Sequence, residues 1–176
     1  MRIPQIIILC INCLFISCDT SVVPPADNDM IQHFRTHEPA FNQIKDLISV
    51  CSNNSYYPPY HPNDTMCLTG IPIHIQKKLD SLLVEIGSKR IFYNAKTAKQ
   101  RDKKEKTDVE LCIQYFVSGY SVGGTTKEFV YSTTVGHQFQ MIENRDLNDI
   151  YQERHNDTIL YKPIKGNWFI RLMHDN

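Results

Sequence analysis

Hydrophobic and polar positions along the chain change their period twice. From Ile6 to Ile16 the residues are apolar without alternation, broken only by Asn12. From Asp29 to Cys51, Met30, Phe34, His37, Phe41, Ile44, Ile48 and Cys51 recur every three or four positions. That spacing predicts an amphipathic helix with one buried stripe. Pro39 falls inside it, and a mid-helix proline removes a hydrogen bond at a cost of about 3 kcal/mol, so a kink is expected there. Ile75, Leu79, Leu82, Leu83 and Ile86 give a second helix over Pro72 to Ile86, with Pro72 at its first position and Gly87 at its stop.

Beyond Gly87 the period becomes two. Arg90 to Asn94 reads as a short strand. Val109 to Gly119 reads as a long one, with Val109, Leu111, Ile113, Tyr115 and Val117 sharing a face. Gly123-Gly124 turns the chain into a strand that includes Lys127 to Val135. Asn144 to Gln152 is expected to form a helical turn carrying Leu147 and Ile150. Thr158 to Ile164 and Trp168 to Met173 form a closing hairpin around Lys165-Gly166-Asn167. Helices first and strands after predict an α+β fold, two N-terminal helices on one face of a four- to five-stranded antiparallel sheet.

The apolar run at the start is too short to span a bilayer, which takes roughly 17–25 residues. With Arg2 ahead of it, it has the parts of a secretory signal. Its end, Leu14-Phe15-Ile16-Ser17-Cys18, resembles the lipobox of Gram-negative bacterial lipoproteins. The resemblance implies that residues 1–17 are removed and that Cys18 becomes an acylated first residue. Two lipid signals already anchor a protein stably, so the three acyl chains of such lipoproteins imply permanent attachment to a cell membrane. The domain would then face the periplasm. Asp19 after the cysteine resembles a signal for retention in the inner membrane, with the outer membrane as the other destination. Residues 18–29 contain Pro24-Pro25 and small polar residues and read as a tether, reaching ~35 Å at full extension. Residues 30–176 then form one α+β domain. Together with Lys127-Glu128-Phe129-Val130-Tyr131 and the ending Tyr161-Lys162-Pro163-Ile164-Lys165-Gly166-Asn167-Trp168-Phe169, the lipobox makes the chain look like a small Gram-negative lipoprotein. The lipobox assigns no activity.

Charge narrows the partners. Nineteen basic and nineteen acidic residues cancel, which argues against nucleic acid. Of six cysteines, Cys51, Cys67 and Cys112 remain outside the leader and the lipidation site. An oxidising envelope favours a disulfide. Cys51 and Cys67 flank one loop of about 15 residues, whose closure is worth about 3 kcal/mol in the chain-entropy model. Cys112 lies in an apolar strand and reads as a small buried hydrophobe. No C-x-x-C spacing exists among these three, and neither metal nor cofactor is expected.

Four stretches are candidates for chemistry. Gly119-Tyr120-Ser121-Val122-Gly123 matches G-x-S-x-G. As a hydrolase elbow it would need Ser121 on a strand-to-helix turn, with partners drawn from Asp146, Asp149, His155 and His174. The strand expected after it makes these glycines hairpin residues instead. His33 and His37 share a helical face, but Phe34 stands where H-E-x-x-H needs Glu. Lys96, Lys99, Arg101, Lys103, Lys104 and Lys106 form a basic run, diluted by Asp102 and Glu105, within reach of anionic headgroups. Tyr56-Tyr57-Pro58-Pro59-Tyr60-His61-Pro62 combines rigid backbone with flat amphipathic rings, and Tyr56, Tyr57 and Tyr60 are the expected partner contacts. The reading is therefore a non-enzymatic, membrane-anchored protein-binding module, in concrete form an immunity protein against a toxin reaching the periplasm. A small serine hydrolase using Ser121 is the alternative.

Overall fold

The computed structural model describes residues 23–50, 55–61, 71–94, 111–120, 123–154 and 156–175. Helix α1 runs Asp27–Ile48 and buries Met30, Phe34, Ala40, Phe41, Ile44 and Ile48. It kinks at His37 (φ −113°, ψ 18°), two residues before Pro39. The kink expected from the missing N–H and the ring's clash with the preceding turn is there. Helix α2 runs Ile73–Glu85 and buries Leu79, Leu82 and Leu83. Pro72 stands one position before its first turn, as the N-cap. Gly87 ends it at φ 59°, with its N–H on Val84 O and Ser88 N–H on Leu83 O. This pair of bonds is a Schellman motif, and the left-handed residue it needs is least costly as glycine.

Six strands follow the order β1-β2-β3-β4-β6-β5, every pair antiparallel. They are β1 Ser55–Tyr57, β2 Arg90–Tyr93, β3 Leu111–Tyr120, β4 Gly123–Tyr131, β5 Thr158–Lys165 and β6 Trp168–Asp175. Two further helices, α3 Val135–Gln138 and α4 Leu147–Glu153, lie between β4 and β5. The fold is α+β as expected, with one strand more than the four to five read from sequence. The extra strand is β1, whose Tyr56 and Tyr57 open the tyrosine stretch, where the following prolines made a loop the natural reading. It forms because β2 offers it a pairing edge.

One face of the sheet carries the main core. Ile91, Ile113, Phe129 and Ile170 meet the stripes of α1 and α2, with Leu147 and Ile150 of α4. The other face carries a smaller cluster of Cys112, Val130, Val135, Tyr161 and Phe169. Phe92, Phe139 and Met141 pack against that cluster. The face assigned to Val117 needs correction. It is 45% exposed, because the β3–β4 register jumps between Gln114 and Phe116. The extra residue, Tyr115, shifts the alternation beyond it by one and turns Val117 away from the core.

Charge, not hydrophobicity, fixes the start of α1. Lys127 lies on the core side of β4 with its side chain fully buried, its Nζ 2.7 Å from Asp27 Oδ1. The same ammonium donates to Pro25 O (2.6 Å) and Asn148 Oδ1 (2.8 Å). Lys162 Nζ lies 3.3 Å from Asp27 Oδ2 and donates to Arg145 O at 2.6 Å. The two helix starts exchange caps. Asp27 N–H donates to Asp146 Oδ2, Leu147 N–H to Asp27 Oδ2, and Asn148 N–H to Asp146 Oδ1. Asn148 Nδ2 donates to Pro24 O. The helix therefore starts two residues earlier than expected, and Pro24 and Pro25, read as tether, are held against the domain. Replacing Asp27 by Ala would leave two ammonium groups facing the hole. The expected loss is about 3–5 kcal/mol of unfolding free energy, read by urea denaturation. Glu38→Ala, which removes only the exposed pair with Lys165, should cost no more than about 1 kcal/mol. Equal midpoints for the two variants would contradict this assignment.

Candidate functional site

Alternation along β1 divides the tyrosine stretch. Tyr57 points into the core, 6% exposed, and its hydroxyl donates to Asp80 Oδ1 on α2 at 2.6 Å. The expectation that Tyr57 meets a partner is thus corrected: its ring is buried against the protein's own helix. Tyr56 points to the opposite face, half-buried, with its ring 5.1 Å from Tyr60 and 6.3 Å from Phe92 between centroids. Tyr60 is 53% exposed. Arg90, at the start of β2, lays its guanidinium over the Tyr60 ring at 3.4 Å from the centroid. Its Nε–H donates to Pro58 O at 3.2 Å. The result is an aromatic surface with a stacked cation, at one edge of the sheet. Arg90 and Phe92 were missed by the sequence reading. They belong to this surface only because β2 pairs with β1, Tyr56 against Phe92.

The neighbouring rows on this face are already neutralised. Arg171 grips Glu128 Oε2 through Nε (3.0 Å) and Nη2 (2.6 Å). Its Nη2 also lies 3.5 Å from Cys112 Sγ. Burial, and then the charge of Glu128, push the Cys112 thiol well above its ordinary range. A thiol held protonated is a poor nucleophile, and the buried-hydrophobe reading of Cys112 suits its place in the outer cluster. Burial also raises the phenol of Tyr161 beside it.

The histidine pair on α1 lies on the core side. The His33 and His37 rings are 4.7 Å apart. His33 Nε2 is 2.9 Å from Ile86 O, and its ring packs on Tyr115 and Phe129. Burial lowers the His33 pKa, with His37 adding to the effect against the backbone hydrogen bond. Among the described residues no group of three metal-ligating side chains forms.

The possible hydrolase partners are scattered over other tasks. Asp146 caps the two helices, Asp149 is exposed, and His174 Nδ1 lies 3.0 Å from Thr125 Oγ1. Ser121 and His155 lie outside the described residues. β3 and β4 remain paired up to Tyr120 and Gly123, so G-x-S-x-G joins two antiparallel strands. Cys18, Asp19, Cys51, Cys67 and the basic run from Lys96 to Lys106 also lie outside the described residues. On the other side of the sheet, a cleft of about 470 Å³ opens beside the buried network, lined by Asn28, Glu143, Asp146 and Lys162 among others. Its two innermost charged groups are committed: Asp146 to the helix caps, and Lys162 to Asp27 and Arg145 O.

A model of a domain family of unknown function, DUF4948, matches residues 23–75 and 64–176. The chain belongs to the DUF4948 family. The match spans Pro24, Pro25 and Asp27 together with Lys127, Asp146 and Lys162, so the whole buried network lies inside the DUF4948 domain. It also spans the aromatic surface around Tyr60. The searches of curated proteins and of solved structures returned no match.

Proposed function

We propose that this DUF4948 protein is a membrane-anchored, periplasm-facing module that binds another protein without catalysing a reaction. The observation that carries the reading is the surface of Tyr56, Tyr60 and Phe92 with Arg90 stacked on it. Tyrosine and arginine are the residue types that dominate interface energy. Rings that already pack on one another and on a cation lose little freedom on binding, which lowers the entropic cost of association. The lipobox resemblance at Cys18 supports the anchor, and no helix of the described residues is long and apolar enough to cross a membrane. An immunity protein that intercepts a toxin at the membrane is the concrete form of this role, since such a protein needs an anchor and a contact surface only.

The anchor is tested by Cys18→Ala, which should move the protein from the membrane to the soluble fraction. Mass spectrometry of the mature N-terminus should find an acylated Cys18. An unmodified residue there, or membrane attachment that persists in the variant, contradicts the anchor. The surface is tested by the double change Tyr56→Ser/Tyr60→Ser. It should keep a cooperative thermal transition and weaken capture of the partner from envelope extract by at least about 2 kcal/mol. Tyr57→Ser, by contrast, should lower stability, because it empties a core position. Unchanged capture by a folded double variant would move the contact elsewhere, to the Lys96–Lys106 run first.

A further inference from the structure

We infer that this surface reads a carboxylate, taken up by Arg90 from an acidic side chain of the partner protein. The inference rests on the binding role proposed above and adds what the partner must present. Among the described residues, Arg90 is a cation of the outer face with no carboxylate paired to it. Arg171, on the same face, has Glu128 at 2.6 Å. Arg90 faces the neutral Gln114 across the β2–β3 pair. Its Nε is satisfied by Pro58 O, and among the described residues no acceptor takes its Nη groups. Two contacts fix the plane of the fork, the Tyr60 ring below and the Pro58 carbonyl at Nε. A guanidinium held this way keeps its two terminal N–H pairs in the geometry of a carboxylate.

The surroundings favour a protein over a membrane as the source of the anion. Tyr56, Tyr60 and Phe92 form an apolar wall that suits side chains flanking an acidic residue. A partner lying on that wall would exclude water and strengthen the ion pair. Recognition of anionic headgroups takes a cluster of about 4–8 basic residues, and among the described residues the aromatic patch holds Arg90 alone.

The test uses the full chain carrying Cys18→Ala, so that no acyl chain contributes. It is passed over an array of synthetic peptides in which a single Asp or Glu is flanked by apolar residues, each with its Asn or Gln counterpart. Acidic peptides should be retained at least about tenfold more tightly than their amide counterparts. Arg90→Lys, which keeps the charge and loses the fork, should abolish most of that difference while unfolding as the parent does. Tyr60→Ser should weaken all retained peptides together. If no acidic peptide is held above its amide counterpart, or if Arg90→Lys keeps the discrimination, the carboxylate assignment is overturned. Retention that depends on Tyr60 and not on Arg90 would leave the binding surface standing and remove only the carboxylate. Sedimentation with phosphatidylglycerol vesicles that is lost on Arg90→Ala would overturn it in favour of a lipid surface.

Discussion

Two carboxylates and two ammonium groups, drawn from residues up to 135 positions apart in sequence, hold the start of α1 to the middle of the sheet (Asp27 with Lys162 the furthest). Asp27 and Asp146 each accept an N–H from the other's helix, so neither helix start is complete alone. Carboxylates at helix starts also meet the positive end of each helix dipole. Lys127 is the centre. Its ammonium donates to Pro25 O and Asn148 Oδ1 and forms an ion pair with Asp27 Oδ1 at 2.7 Å. A leucine at that position could fill the volume without tying three separate segments to one point. Buried ion pairs of this kind are weak sources of net stability, and their best-attested use is to fix one arrangement among several. Here the arrangement fixed is the position of α1 over β4, which in turn seats Phe34 and Phe41 on Phe129.

That seating decides which surface is left over. The core face is filled by α1, α2 and α4. On the outer face, the segment from Ser132 to Ile142 brings Val135, Phe139 and Met141 onto the Val130, Tyr161 and Phe169 side of the sheet. The β1–β2 edge of the same face receives no such cover among the described residues beyond its own Tyr60 and Arg90. Charge follows the same division. Under the covered part, Glu128 and Arg171 neutralise each other. At the open edge Arg90 has a ring and a carbonyl but no carboxylate. Among the described residues, the proposed contact surface is thus the part of the outer face where aromatic rings and a cation without a carboxylate come together.

Much of this fold was legible in the sequence, because its elements follow periods that packing does not override. The stripe of α1, its kink before Pro39, the Gly87 stop and the closing hairpin all come from local rules. The failures came where one residue or one partner changes a period. The bulge at Tyr115 turns Val117 outward, and nothing in the alternation up to that point announces it. Tyr56 and Tyr57 are equivalent as letters in an aromatic loop, and only pairing with β2 sends one inward. The buried network left one faint trace. Lys127 shares the period-two face of Phe129, a polar residue in a core position, which is a demand for partners. Asp27 and Asp146 could not be named as those partners, since no sequence spacing links them.

The central claim is that residues 24–27 belong to the folded domain and hold it together through Asp27, rather than serving as a spacer ahead of it. The direct measurement compares urea unfolding of a chain beginning at Ser21 with one beginning at Asn28. Loss of Pro24, Pro25 and Asp27 strands Lys127 and Lys162, so the shorter chain should unfold at a clearly lower urea concentration, by about 3–5 kcal/mol in free energy, or fail to unfold cooperatively. Superimposable curves for the two chains would contradict the account.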